Sequence, residues 1–303
     1  MKIPVGRVRC ALPPSLEIAE AWGRTVTRQE SQFSSLGVLF SPSMTSLLNG
    51  RSELESMNMV VLFTDFGWQG PYVGLLKLAI ARYAPTVPVL DLCHDAPAFE
   101  VQCSAYLLAT YAQEFPPGAV FVAVVDPGVG GLRPSLILRA NEHWFIGPDN
   151  GLLDRVAARA RQIQSWHITW QPERLSASFH GRDLFAPVAA MLVTGVVTPP
   201  QVGTATPFTF QNWPDDLARI IYSDRYGNLI TGIRAASVGP EAVIQVADHT
   251  LRQARTFADV PVGQGFWYEN SSGLVELAVN QGDASARFGL AVGDSVQVTG
   301  ACL

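Results

Sequence analysis

A chain of 303 residues, 48% hydrophobic and 16% charged, can bury a substantial core and does not have the composition of a disordered polymer. Its formal charge of −5 argues against nucleic acid as a partner, which calls for a basic footprint, and no apolar run approaches the roughly 20 residues that cross a bilayer. The four cysteines, Cys10, Cys93, Cys103 and Cys302, show neither CxxC spacing nor a disulfide-dense pattern. That usage fits reduced thiols and a cytoplasmic location.

Residues 1–56 lack sustained periodicity and carry polar stretches such as Thr27-Arg28-Gln29-Glu30-Ser31-Gln32. They are expected to form a poorly structured N-terminal extension. A mis-called translation start upstream of Met57 and Met59 is one explanation, a disordered tail the other. From Met59 strands and helices alternate. The pattern predicts a buried strand at 60–64 ending in Asp65-Phe66-Gly67, a helix at 72–83, a strand at 87–92, a helix at 101–115 and a strand at 120–125. A hairpin at 135–139 and 143–146 follows, then a helix at 184–194. Continuous β-branched runs separated by helices imply a mostly parallel sheet covered on both faces. After Thr198-Pro199-Pro200 the rhythm changes to short strands, at 219–222, 229–233, 242–246, 265–268, 274–279 and 295–298. The fold class is therefore an α/β N-terminal domain with a mostly parallel sheet over 57–205, followed by a small all-β, barrel-like C-terminal domain over 206–303.

Three motifs stand where apolar runs stop, which is where an open α/β sheet keeps its ligands. They are Val125-Asp126-Pro127-Gly128-Val129-Gly130-Gly131-Leu132-Arg133, Gly147-Pro148-Asp149-Asn150-Gly151 and Phe179-His180-Gly181-Arg182-Asp183. The glycines of the first suit a turn that hugs a ligand, with Asp126 and Arg133 facing each other across it; a salt bridge that merely holds the loop is the alternative. His180 precedes a helix and can point into the same crevice. Asp65 ends a strand, where a carboxylate accepts ribose hydroxyls, unless it only caps the following helix. Asp149-Asn150-Gly151 is a turn signal first. In the second domain, Ser223-Asp224-Arg225-Tyr226-Gly227-Asn228 and Asn270-Ser271-Ser272-Gly273 carry more functional groups than hairpin turns need. Asp65-Phe66-Gly67 with His180-Gly181-Arg182-Asp183 does not make a protein kinase, because the order is wrong and no Gly-rich phosphate loop precedes them. No HExxH or Cys/His cluster suggests a metal.

Together these motifs resemble the S-adenosyl-L-methionine (SAM) hydroxide adenosyltransferase family, also called the SAM hydrolase or DUF62 family, which is related to fluorinase and chlorinase. The likeness runs from about Met59 to the C-terminus. It rests on Thr64-Asp65-Phe66-Gly67, the Asp126 motif, Gly147-Pro148-Asp149-Asn150-Gly151-Leu152-Leu153, the His180 motif, Asp224-Arg225-Tyr226-Gly227-Asn228 and Asn270-Ser271-Ser272-Gly273. The resemblance implies a homotrimer whose ligand lies between the first domain of one subunit and the second domain of its neighbour. It implies a catalytic triad at Asp126, Arg133 and His180, Asp65 on the ribose hydroxyls and Phe99 beside the adenosine. It further implies Asp224 on the methionine ammonium, Asn228 at the adenine and Ser271 near the methionine carboxylate. SAM would be the substrate, with no cofactor.

The halogenase branch has a tyrosine where this chain has Asp126, and the fluorinase has a serine in place of Gly181. An anionic Asp126 repels halide and Gly181 offers no hydroxyl, so water is the expected nucleophile. Ser272 stands where the fluorinase has an arginine. The expected reaction is in-line attack of water on C5′ of SAM, giving adenosine and L-methionine, with Asp126 and His180 both open as the proton acceptor. A SAM-dependent halogenase, a non-catalytic SAM- or adenosine-binding protein, and a structural protein braced by these loops are the alternatives.

Overall fold

The computed structural model describes residues 58–299, so the expected extension at 1–56, with Cys10, and Cys302 at the other end lie outside the described residues. Two strands with every residue buried form the middle of the parallel part of the sheet: β1 (Val60–Thr64) and β3 (Val120–Val124). Both are runs of apolar residues, as parallel strands covered on two faces require. Between them come α1 (Tyr72–Tyr83), β2 (Val89–Cys93) and α2 (Val101–Tyr111). The first domain continues with β4 (Ser135–Ala140), β5 (His143–Pro148), α3 (Asp154–Arg159), β6 (Ile163–Ile168), α4 (Ala186–Val193), α5 (Pro199–Val202) and β7 (Gly203–Ala205). The sheet order is β2-β1-β3-β5-β4-β6-β7. Pairing is parallel from β2 through β1 and β3 to β5, and antiparallel beyond. Alternate residues of β1 feed the two faces: Val60 and Leu62 pack with Leu76 and Ile80 of α1 and Val188 of α4, whereas Val61 and Phe63 pack with Leu107 and Leu108 of α2. Because β2 and β3 flank β1, the chain reverses direction across the sheet between β1 and β3. The crevice outside their carboxyl ends is the place where such sheets bind ligands.

The departures from the sequence expectation have physical causes. The second helix stops at Tyr111 and tightens into a 3-10 turn, Ala112–Glu114. The helix expected at 184–194 is preceded by a π-helical turn, Gly181–Phe185, whose wider ring closes with the Ala186 N–H donating to the Gly181 carbonyl. Pro187, in the first turn of α4, has no N–H to offer the preceding turn, so the regular ladder cannot begin earlier. β6 and β7, which extend the sheet, escape the sequence reading because β6 is mostly half-buried and lacks clean alternation.

The second domain is antiparallel: β12 (Gly265–Glu269), β13 (Leu274–Val279), β9 (Leu229–Arg234) and β8 (Leu217–Ser223) form one sheet, and β11 (His249–Leu251), β10 (Val243–Val246) and β14 (Gln297–Thr299) the other. Isolated bridges from Arg219 to Ser295 and from Trp267 to Gln253 join the edges of the two sheets, which gives the barrel-like closure. Leu217, Ile221, Ile230 and Leu274 enter the same core as α2, so the domains are welded rather than tethered. Arg155 donates to Asp215 at 2.7 Å and the Tyr222 hydroxyl to Asp95 at 2.9 Å across the junction. Among the described residues no helix is long and apolar enough to cross a membrane.

Candidate active site

β1 runs out at Thr64 and β3 at Val124, and the Asp65 N–H donates to the Val124 carbonyl at 3.3 Å, so Asp65 and Asp126 follow adjacent strand ends. The loop after Asp126 folds on itself through bonds from Val129 N–H to the Asp126 carbonyl and from Gly131 N–H to the Gly128 carbonyl. At Gly130 φ is +79° and a Cβ would collide with the Ala177 carbonyl, so only glycine lets the Asp126 loop seat on the 176–180 loop. That seating delivers His180 to Arg133.

The three residues form a chain of contacts. Arg133 Nε donates to Asp126 Oδ1 at 2.9 Å and its Nη2 donates to Asp126 Oδ2. The same Nη2 lies 3.1 Å from His180 Nδ1, and Nη1 donates to the Pro134 carbonyl and the Ser135 hydroxyl. A guanidinium has five N–H donors, and these five contacts use all of them. Arg133 is thus an organiser with no donor left for a ligand. Since a guanidinium only donates, His180 Nδ1 must accept, and the imidazole proton sits on Nε2. Burial, reinforced by the Arg133 charge, holds the His180 pKa below its ordinary value and favours this neutral form. The Asp126 side chain is 4% exposed, and each of its oxygens keeps a second lone pair beyond the one given to Arg133. Asp126 thus keeps acceptor capacity, and His180 Nε2–H is a donor with no hydrogen-bond partner among the described residues.

Asp65 and Phe99 join this group. The Phe99 N–H donates to Asp65 Oδ2 at 3.3 Å, with Phe99 held in the left-handed region at φ 66°. A non-glycine residue there costs about 1–3 kcal/mol and persists only where its surroundings enforce it, a condition common at ligand sites. The Phe99 side chain is left 75% exposed. Burial pushes the Asp65 pKa above its ordinary value, and the charge of Asp126 adds to that against the lowering bonds from backbone N–H groups. Asp65 does not cap α1, whose N-cap is Pro71 without a side-chain bond.

Asp224, Asn228 and Ser271 form a second group in the other domain, lining an open cleft of about 780 Å³ with Tyr226, Tyr268 and Glu276. Asp224 Oδ1 accepts from the N–H groups of Tyr226 and Asn228, both at 2.8 Å, and Oδ2 from Asn228 Nδ2 at 3.0 Å. Gly227, at φ +80°, lies where a Cβ would strike the Asp283 carboxylate. Asn270 Oδ1 caps its own turn by accepting from Ser272 and Leu274 N–H, which leaves Ser271 exposed at the rim. Among the described residues no hydrogen bond or ion pair joins this group to the first.

Sequence reasoning missed Glu276. It is 5% exposed, accepts from the Tyr268 hydroxyl at 2.6 Å and from Asn270 Nδ2 at 3.0 Å, and lines the cleft. Burial and the Asp224 charge push its pKa up against those two bonds. A lone carboxylate inside the apolar run Leu274–Val279 was the available signal. By contrast, Asn150 and Asp183 are structural. Asn150 Nδ2 donates to the Val125 carbonyl, and Asp183 accepts two bonds from Arg182 and one from Ser176 N–H, which fixes the loop that bears His180.

An ordered carboxylate–guanidinium–imidazole chain at the switch point of a parallel sheet belongs to an α/β protein that handles a small ligand. Comparison with known proteins narrows the class. The model of the SAM hydroxide adenosyltransferase N-terminal domain matches residues 60–203, and that of the C-terminal domain matches residues 218–297. The chain belongs to the SAM hydroxide adenosyltransferase family. It is 35% identical to the (R)-S-adenosyl-L-methionine hydrolase of Thermus thermophilus, over 80% of this chain and all of that one. A fluorinase from Actinopolyspora mzabensis is more distant, at 24% identity over 82% of this chain and 99% of its own. A solved structure of an uncharacterized conserved protein from Thermotoga maritima superposes with a TM-score of 0.73 at 30% identity, covering 79% of this chain and 99% of that one.

Proposed function

We propose that this protein is a SAM hydrolase: water attacks C5′ of the ribose, the C5′–S bond breaks, and adenosine, L-methionine and a proton are released. The observation that carries the reading is the wiring of Asp126, Arg133 and His180, found in a chain 32–36% identical to four (R)-SAM hydrolases and less similar to fluorinases. The sulfonium is a charged, activated leaving group and departs as a neutral thioether, so it needs no general acid. What the protein must supply is a positioned water, and positioning alone removes much of a barrier. The water gives one O–H to Asp126 and accepts from His180 Nε2–H, which leaves a lone pair directed at C5′. Asp126 takes the proton as the O–C5′ bond forms. His180 is not the base: accepting a proton at Nδ1 would set N–H against the N–H of Arg133, and Nε2 is already protonated. Arg133 acts through both neighbours as their positioning residue. The anionic Asp126 in the nucleophile pocket disfavours halide, which supports the hydrolase over the halogenase branch.

In this reading Asp65 takes the ribose hydroxyls and the Phe99 ring packs on the adenosine. Asp224 receives the ammonium, Asn228 the adenine, and Ser271 the methionine carboxylate. The two groups come from different subunits of a homotrimer, with the exposed side chains of Trp68, Tyr72, Phe99 and Leu132 around the first group available to a neighbouring copy. The test is chromatography of protein incubated with SAM in halide-free buffer. Adenosine and methionine should appear in equal amounts and be absent with Asp126→Ala; intact SAM would sink the hydrolase reading.

A further inference from the structure

Behind Asp65 lies a polar chain, buried at Thr64 and His94 and half-buried at Asp91 and Lys77, that the mechanism above does not use. The register of β1 against β2 slips between Leu62, opposite Asp91, and Phe63, opposite Cys93, so β2 carries a bulge at Leu92. Such a bulge re-aims the side chains that follow it. Here it turns His94, fully buried, toward the equally buried Thr64 at the end of β1. His94 Nδ1 is 2.7 Å from Thr64 Oγ1, His94 Nε2 is 3.0 Å from Asp91 Oδ1, and Lys77 Nζ is 2.6 Å from Asp91 Oδ2.

The bond directions follow from the carboxylate. An ionised Asp91, anchored by Lys77, can only accept, so His94 Nε2 carries the proton given to it. In the neutral imidazole Nδ1 is then the acceptor and takes the Thr64 hydroxyl hydrogen, while Thr64 Oγ1 itself accepts from the Phe66 N–H at 3.3 Å. Burial alone would raise the Asp91 pKa, but the bonds from His94 and Lys77 outweigh it and keep the carboxylate ionised. The 64–67 turn is held on the same side by its backbone: Gly67 N–H donates to the His94 carbonyl at 2.6 Å and Ala96 N–H to the Thr64 carbonyl at 3.2 Å. Trp68 closes over the imidazole edge-on, with centroids 4.8 Å apart. Polar networks satisfied in their buried part rigidify what they touch, and the buried end of this one, Thr64 and His94, touches the residue beside Asp65.

We propose that His94 is a positioning residue for substrate binding: through Thr64 it locks the turn that presents the Asp65 carboxylate to the ribose hydroxyls, with Asp91 and Lys77 holding the imidazole in the required tautomer. This rests on the assignment of Asp65 to the ribose. Thr64→Val removes the hydroxyl at constant shape and Thr64→Ser restores it, while Lys77→Met loosens the far end from a partly exposed position.

The test is calorimetric affinity for adenosine against dideoxyadenosine, which lacks the ribose hydroxyls, with melting curves to verify folding. The wild type should prefer adenosine by about tenfold or more, the size of one charge-assisted bond. Thr64→Val should bring the ratio near unity, Thr64→Ser should keep it, and Lys77→Met should shrink it about two- to fivefold. A folded Thr64→Val and a folded Lys77→Met that both retain the wild-type ratio would overturn the proposal. A wild type that does not distinguish the two nucleosides would remove the Asp65 assignment itself and the proposal with it. A merely structural role for His94 predicts lower melting temperatures with an unchanged ratio.

Discussion

The two polar groups of this protein are built by opposite means. The group around Asp126 draws on residues 65, 99, 126, 133 and 180, brought together by the strand order, with 126 and 180 tied by a guanidinium whose every donor is spent and 99 bonded to 65. The group around Asp224 is two hairpin turns, each closed by its own side chain: Asp224 on residues 226 and 228, Asn270 on residues 272 and 274. The first is held by topology and charge, which suits the water-aiming role proposed for it. The second is local and open, which suits the proposed role of receiving the far end of the substrate.

The largest effect should fall on the first group. Asp126→Ala should lower kcat by about 10²–10⁴-fold, the usual span for a lost general base, while calorimetry finds SAM affinity within a few-fold of the wild type. Asp224→Ala should do the reverse, raising KM for SAM by about tenfold or more through one lost charged contact with kcat little changed. If the two groups meet across a subunit boundary, mixing these two variants under exchange conditions should restore activity above that of either alone; no recovery in verified mixed oligomers would place both groups in one subunit's site.

A smaller effect concerns pH. His180 must be neutral to accept from Arg133, and burial with the Arg133 charge depresses its pKa from the ordinary 6.5. Activity should therefore hold through neutrality and fall only as pH drops below that value. The same depression makes His180 lose folded-state stability as pH falls from the unfolded value through the folded one. An acid limb of kcat/KM at or above 6.5 would contradict the wiring.

Smaller again is a test of loop seating. Gly130→Ala should cost about 1–3 kcal/mol of stability, together with activity, because its Cβ meets the Ala177 carbonyl. Gly239→Ala, with no neighbour within 4 Å of its Cβ, should leave both melting temperature and activity near the wild type.

The contrast also explains what could be read from the sequence. β1, β3 and the β4–β5 hairpin were legible because their apolar runs are bounded by turn residues, and α1 because its spacing is helical. β6 was not, being half-buried along most of its length, and the π-helical turn at Gly181–Phe185 depends on Pro187 blocking the ladder rather than on any local preference. That Asp126, Arg133 and His180 meet was legible, but not the bond directions that leave the His180 proton on Nε2, since these need three loops in contact. Glu276 and His94 were overlooked for the same reason: each looks like an isolated polar residue until the register places its partners around it.

The most direct test of the central claim is SAM turnover in heavy-oxygen water, with both products examined by mass spectrometry. Attack of water on C5′ predicts that the adenosine 5′-hydroxyl carries the heavy oxygen and that methionine carries none. Adenosine without the label, or heavy oxygen in the amino-acid product, would contradict it.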